Sequence, residues 1–137
     1  MMPLEGFSPG VTQSEIGKLI GRELILMENG LSEVAFDMGE TWLNMQGILH
    51  GGAFATMLDS ACGVAIRSLL DMEKYRGHAT LELKTSYLQA GKPGKYIAKG
   101  KVLRMGRSVA YSEASLFDAD GALVSKASAT FKLLPKS

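Results

Sequence analysis

The sequence predicts an α+β domain in which a strongly curved antiparallel sheet of five or six strands wraps around one buried helix. Three observations predict it. The segment from Ala53 to Leu70 is apolar on nearly every turn, and a helix without a solvated stripe must be covered on all sides by the rest of the chain. Strand-like runs flank it, two before and several after. Two of the later runs, Tyr96 to Met105 and Ser108 to Phe117, are about ten residues long against a usual ~5 to 6. Strands of that length stay ordered when their twisted sheet curves around a partner, and the helix is that partner. A chain of 137 residues with 46% hydrophobic content suits a single domain spanning residues 1–137.

Taken in order, Thr12 to Ile20 reads as a short amphipathic helix, with Thr12 or Ser14 as N-cap, Ile16, Leu19 and Ile20 on one side, and Gly21 as its end. Glu23 to Met27 and Leu31 to Met38 are strands joined at Asn29-Gly30, a strong hairpin signal. A polar loop carrying Asn44, Gly47 and His50 enters the central helix through Gly51 and Gly52. Met72 to Gly77 is a charged loop. Leu81, Leu83, Thr85 and Tyr87 then alternate with Glu82, Lys84 and Ser86, which predicts a strand with one buried face. Turns at Gly91-Lys92-Pro93-Gly94, Gly106-Arg107 and Asp118-Ala119-Asp120-Gly121 separate the remaining strands, the last ending near Leu133. Ala110, Ala114, Ala122, Ala127 and Ala129 suit either close layers within the domain or subunits stacked on the outer face of the sheet.

Composition removes several function classes. Fifteen basic and fourteen acidic residues leave no global pull toward nucleic acid or a membrane surface. One cysteine, Cys62, and two histidines supply neither a disulfide framework nor a metal set, and they fit a reducing, cytoplasmic setting. The start MMPLEGFSPG lacks the basic and apolar regions of a signal peptide. Asp59 and Arg67 interrupt the central helix and leave it short of a membrane span.

The chemistry concentrates between Asn44 and Asp59. Asp59 is the one acidic residue on the apolar helix, where a carboxylate is costly unless paired, hydrogen-bonded or protonated. Arg67 cannot pair with it within the helix, because eight residues separate them by about 12 Å along the axis. The neighbours Ala55, Thr56 and Gly63 are small, leaving room for a substrate or a partner subunit. Gly51 and Gly52 allow close approach to the first helical turn, whose unpaired N–H groups and positive dipole suit a developing oxyanion. His50 caps, packs or takes part in catalysis. It lies roughly 12 Å or more from Asp59 along the axis, so a site shared by the two is easier to build across a symmetric dimer.

The run NMQGILHGGAFATMLD fits N-x-x-G-x-x-H-G-G with an acidic residue seven positions after the second Gly, and it resembles the phenylacetate-degradation (PaaI) group of hotdog-fold acyl-CoA thioesterases. The fit holds at Asn44, Gly47, His50, Gly51, Gly52 and Asp59, and the order of elements agrees from the first hairpin to the last strand. The resemblance implies homodimers, commonly homotetramers as dimers of dimers, with active sites at the dimer interface. It implies Asp59 as general base or nucleophile and the Gly51 amide of the other subunit as oxyanion donor. Asn44 and His50 would position the thioester and support the loop. Thr80 occupies the place of a hydroxyl that holds the attacking water, although strict alternation would turn it away from that task. Coenzyme A enters as part of the substrate, and no separate cofactor or metal is implied. Arg104-Met105-Gly106-Arg107-Ser108 offers guanidinium groups and backbone amides that suit phosphates, and the resemblance places Gly106, Arg107 and Ser108 near the nucleotide. The acyl group is aryl, arylacetyl or medium- to long-chain fatty, with Trp42, Leu43, Met45, Phe54 and Leu58 as candidate pocket walls. A non-catalytic acyl-CoA-binding protein is the alternative, and a dehydratase of the same fold a third reading.

Overall fold

The computed structural model describes residues 14–137. Thr12 and the MMPLEGFSPG stretch lie outside the described residues. The elements are α1 (Glu15–Leu19), β1 (Glu23–Glu28), β2 (Leu31–Met38), a single 3-10 turn (Glu40–Trp42), α2 (Gly51–Arg67), β3 (Tyr75–Tyr87), β4 (Gly94–Met105), β5 (Val109–Phe117) and β6 (Leu123–Pro135). The strands form one antiparallel sheet in the order β1-β2-β4-β5-β6-β3, and α2 packs along it. This is the hotdog architecture that the sequence led us to expect.

Local chemistry accounts for most boundaries. The Ser14 side chain accepts the Gly17 N–H at 3.0 Å and caps α1. Asn29 and Gly30 both have positive φ, 50° and 79°, as the tight β1–β2 turn requires. Along β2 every second residue, Ser32, Val34, Phe36 and Met38, is buried. From α2, Met57, Leu58, Ala61, Cys62 and Ile66 fill the middle of the core, each large apolar side chain contributing about 1.5–3 kcal/mol by leaving water.

Two serines fasten the sheet to the helix backbone. Ser32 Oγ donates to the Ala61 carbonyl at 2.7 Å, and Ser112 Oγ donates to the Cys62 carbonyl at 3.2 Å. Gly100 lies beneath the same turn of helix and donates its N–H to Ser32 Oγ at 3.1 Å. A methyl group there would collide with the Ala61 carbonyl and the Ser32 hydroxyl.

Four expectations need correction. Ile16 and Leu19 are exposed, and α1 reaches the core only through Gly17 and Ile20, because five residues make little more than one turn. The charged stretch before Gly77 is not all loop: β3 begins at Tyr75. The strand has no continuous buried face, since it is the sheet's edge and Leu81 is 59% exposed. The central helix is not covered on every side either. Ala55, Thr56, Asp59, Ser60 and Arg67 are only partly buried and form an open stripe. Ala110, Ala114, Ala127 and Ala129 are buried in the core cluster with the helix, so they serve close packing within the domain.

Candidate active site

Asp59 lies on the open stripe of α2, and the neighbouring edge strand supplies its partner. Thr80 Oγ1 donates to Asp59 Oδ1 at 2.8 Å. Simple alternation would forbid this contact. In β3 the register against β6 shifts between Thr80 and Glu82, so that Thr80 pairs with Phe131 and Glu82 with Thr130 while Leu81 is the extra residue. A β-bulge of this kind re-aims one side chain, and here it turns Thr80 to the carboxylate. With Oδ1 engaged, Oδ2, which no hydrogen bond among the described residues occupies, is left to accept a proton or orient a water.

The pair opens into a cavity of about 520 Å³ lined by Arg22, Asp59, Ser60, Gly63, Arg67, Arg76, His78, Thr80 and Phe131, among others. Arg22 Nε donates to Ser60 Oγ at 2.9 Å. His78 stands edge-on to Phe131, ring centroids 5.2 Å apart, and burial together with the neighbouring Arg67 charge pulls its pKa down to about 4. Its imidazole is therefore neutral at pH 7. Arg22, Arg76 and His78 carried no sequence signal, because nothing in the order of residues shows that positions 22, 67 and 76 converge.

The second group of residues gathers at the helix start. His50 is the N-cap of α2, and its Nδ1 accepts the Gly52 N–H at 3.0 Å, an arrangement that leaves Nε2 to carry the ring N–H. The Ala53 N–H donates to the His50 carbonyl at 2.8 Å. The Gly51 N–H has no acceptor among the described residues. Asn44 Oδ1 accepts the N–H groups of Gln46 at 2.9 Å and Ile48 at 3.4 Å, and Gly47 turns the chain at φ 78° while donating its N–H to the Asn44 carbonyl. Asn44 and Gly47 thus shape the loop that presents His50 and Gly51. Gly52 is exposed at the second helical position.

Sequence reasoning missed Tyr87 here. Its hydroxyl donates to the Gly51 carbonyl at 2.9 Å, and its ring stacks on Phe54 with centroids 5.9 Å apart. These groups line a separate cavity of about 360 Å³ with Asn44, Ile48 and Leu88. Of the candidate acyl-pocket walls, Phe54 lines this cavity, Leu58 is core, Trp42 and Leu43 pack against the core, and Met45 is fully exposed.

The third group lies at the β4–β5 turn. Arg107 and Ser108 line a depression of about 270 Å³ with Lys74, Tyr75 and Lys132. Tyr75 Oη donates to the Arg107 carbonyl at 2.6 Å. Gly106 donates its N–H to the Val109 carbonyl at 3.0 Å, and a Cβ at position 106 would stand 2.6 Å from that oxygen, so the turn itself calls for glycine.

Within one chain, then, Asp59 with Thr80 and Gly51 with Asn44 line two different cavities. Eight helical residues place Gly51 and Asp59 about 12 Å apart along α2. A histidine cap, an amide at a helix start and a carboxylate oxygen, the last two without a hydrogen-bond partner among the described residues, are the parts of a hydrolytic acyl-transfer site.

Residues 46–125 match the family model described as the thioesterase superfamily. The chain is 32% identical over 119 residues to "Putative esterase SSO1253" of Saccharolobus solfataricus, covering 87% of this chain and 77% of that one. It is 30% identical to the medium/long-chain acyl-CoA thioesterase YigI of Salmonella typhimurium, covering 83% and 82% of the two chains. The structure of the Escherichia coli PaaI protein from the phenylacetic acid degradation operon superposes with a TM-score of 0.79 at 18% identity, over 88% of this chain and 85% of that one. No helix among the described residues is long and apolar enough to cross a membrane.

Proposed function

The chain belongs to the thioesterase superfamily, and on that premise we propose that it hydrolyses acyl-CoA thioesters to free acid and CoA at an active site completed by a homodimer. The observation that carries this reading is the Thr80-bound Asp59 carboxylate at a cavity large enough for an acyl group. Asp59 takes a proton from water, whose oxygen attacks the thioester carbonyl. The oxyanion is received by the amide of Gly51 of the partner subunit. Collapse breaks the C–S bond, and the proton held by Asp59 passes to the departing thiolate. A positioned base contributes about 10² to 10⁴ fold, and one oxyanion donor about 3–4 kcal/mol. His50 and Asn44 hold the loop that presents the amide.

Two copies are called for because Gly51 and Asp59 stand a dozen ångströms apart in one chain. The edge strand β3 and the open stripe of α2, which carry Thr80 and Asp59, are the surfaces that bring the site to a partner, and a dimer of dimers is the further expectation. The basic depression at Lys74, Arg107, Ser108 and Lys132 takes the nucleotide phosphates. No cofactor beyond the coenzyme A of the substrate is invoked. YigI is named for medium- and long-chain acyl-CoA and PaaI for the phenylacetic acid operon, so fatty, aryl and arylacetyl thioesters are the panel to try.

The test is thiol release from that panel by the native protein and by Asp59→Ala, with sedimentation equilibrium on both. Turnover that falls at least a hundredfold in an oligomer of unchanged size supports the reading. Saturable CoA-ligand binding without turnover of any thioester would replace it with a binding protein.

A further inference from the structure

Strand β3 grips α2 with two side chains, and the mechanism above uses one of them. Thr80 holds the Asp59 carboxylate, and seven residues further on the Tyr87 hydroxyl donates to the Gly51 carbonyl at 2.9 Å. Seven is an odd step, so in an unbroken strand the two side chains would point to opposite faces of the sheet. The bulge at Leu81 removes that conflict. Thr80 pairs with Phe131 and Tyr87 with Ser125, and both partners belong to the buried row of β6 formed by Ser125, Ala127, Ala129, Phe131 and Leu133.

The grip at Tyr87 falls on one peptide. Glycine leaves the backbone dihedrals free, and the first turn of a helix has no intrahelical acceptors for its N–H groups, so a Gly-Gly entry aims its amides loosely unless other groups hold them. Here the peptide joining Gly51 to Gly52 is held at both ends, its carbonyl by Tyr87 Oη and its N–H by His50 Nδ1 at 3.0 Å. The preceding peptide is held at the His50 carbonyl, which accepts the Ala53 N–H at 2.8 Å. Of these four backbone groups, the Gly51 N–H alone lacks a hydrogen-bond partner among the described residues. Tyr87 is itself braced: its ring stacks on Phe54, which packs in turn against Tyr96, each pair with centroids 5.9 Å apart.

We propose that Tyr87 is a positioning residue for hydrolysis, which fastens the Gly51–Gly52 peptide and so aims the Gly51 N–H at the oxyanion formed beside the partner subunit's Asp59. This deepens the thioesterase reading and rests on it. One strand then prepares half of each of two sites, the carboxylate through Thr80 and the oxyanion donor through Tyr87. A donor aimed before charge develops needs no reorganisation at the moment of reaction. The thioester oxygen gains most of its charge in the transition state, so the benefit falls on kcat and little of it on KM.

The experiment replaces Tyr87 by Phe, which keeps the ring on Phe54 and removes the hydroxyl. Steady-state thiol release gives kcat and KM for the native protein and Tyr87→Phe on the best acyl-CoA of the panel. Two inhibitors of the same chain length separate aim from general damage: a trifluoromethyl ketone analogue of the acyl-CoA, whose hydrate mimics the tetrahedral intermediate, and the alkyl thioether of CoA, which has no carbonyl. Expected in Tyr87→Phe is a fall in kcat of about 3- to 10-fold, the worth of one hydrogen bond. KM should move by less than about twofold, and the ketone should bind more weakly by the same factor as kcat falls while thioether binding is unchanged. The proposal is overturned by a native kcat in Tyr87→Phe, by a loss carried by KM, or by equal weakening of ketone and thioether, which would give the hydroxyl a structural role alone. Turnover by the native protein in those cases leaves the thioesterase reading standing. Absence of turnover on every thioester overturns both.

Discussion

Replacing Thr80 by Val removes one hydroxyl and keeps a β-branched side chain of nearly the same volume. In the structure that hydroxyl does one thing: it donates to Asp59 Oδ1 at 2.8 Å. A hydrogen bond to a charged group contributes about 1.5–3 kcal/mol when buried. Thr80 is exposed within one chain, so the expected loss is about 1–2 kcal/mol, equivalent to about a 5- to 30-fold fall in kcat. Because Thr80 orients the carboxylate, KM should move little. Folding stability should change by less than about 0.5 kcal/mol, as for most surface substitutions. Thr80→Ser, which restores the donor, should recover most of the rate. The assay is steady-state thiol release with urea melts of all three proteins in parallel. A native kcat in Thr80→Val, or equal losses in Val and Ser, would refute the idea that the bulge exists to hold Asp59.

Gly100→Ala should destabilise the fold by about 1–3 kcal/mol, the range for forcing atoms into a packed core, because the new methyl meets the Ala61 carbonyl and Ser32 hydroxyl; an unchanged urea midpoint would contradict the packing. His78 has its pKa lowered to about 4 from 6.5 by burial first and Arg67 second, so between those values the unfolded chain binds a proton that the native state refuses. Stability is complete above about pH 6.5 and falls as pH drops toward 4, by about 1–2 kcal/mol once partial exposure is allowed for. Denaturant titrations of the native protein and His78→Gln across that window should show a shallower slope in the variant. Arg107→Ala should raise KM for CoA thioesters more than for pantetheine thioesters, and equal effects would remove Arg107 from the nucleotide site.

The parts that were legible in the sequence are local. Asn29-Gly30 carries its own turn, residues 53–70 carry their own apolar helix, which ends at Arg67, and N-x-x-G-x-x-H-G-G fixes a capped helix start within nine positions. What escaped depends on pairing across long separations. Nothing around Leu81 marks it as a bulge, since it contains neither Gly nor Pro, and the shift exists only relative to β6. The apolar alternation of Leu81 and Leu83 predicts a buried face because composition does not reveal that β3 is an edge of the sheet. Tyr87 has the spacing of one more residue of that face, and only the folded chain brings its hydroxyl to the Gly51 carbonyl. The arginines at 22, 67 and 76 meet only in three dimensions.

The strand that delivers Thr80 is also the one whose neighbour arrives last. Tyr75 pairs with Pro135, sixty positions later, and Thr80 with Phe131. Until the C-terminal strand has formed, β3 has no place in the sheet, and the entropy of closing so long a loop must be met before any contact rewards it. Asp59 is carried by residues 51–67, whereas the strand that brings its hydroxyl partner is held in the sheet only by the last strand of the chain. Chains that stop short of β6, or that lose it to proteolysis, keep every residue of the N-x-x-G-x-x-H-G-G run and still lack the aligned carboxylate. Alignment of the Asp59 carboxylate by Thr80 thus depends on the sheet being closed by the last strand of the chain.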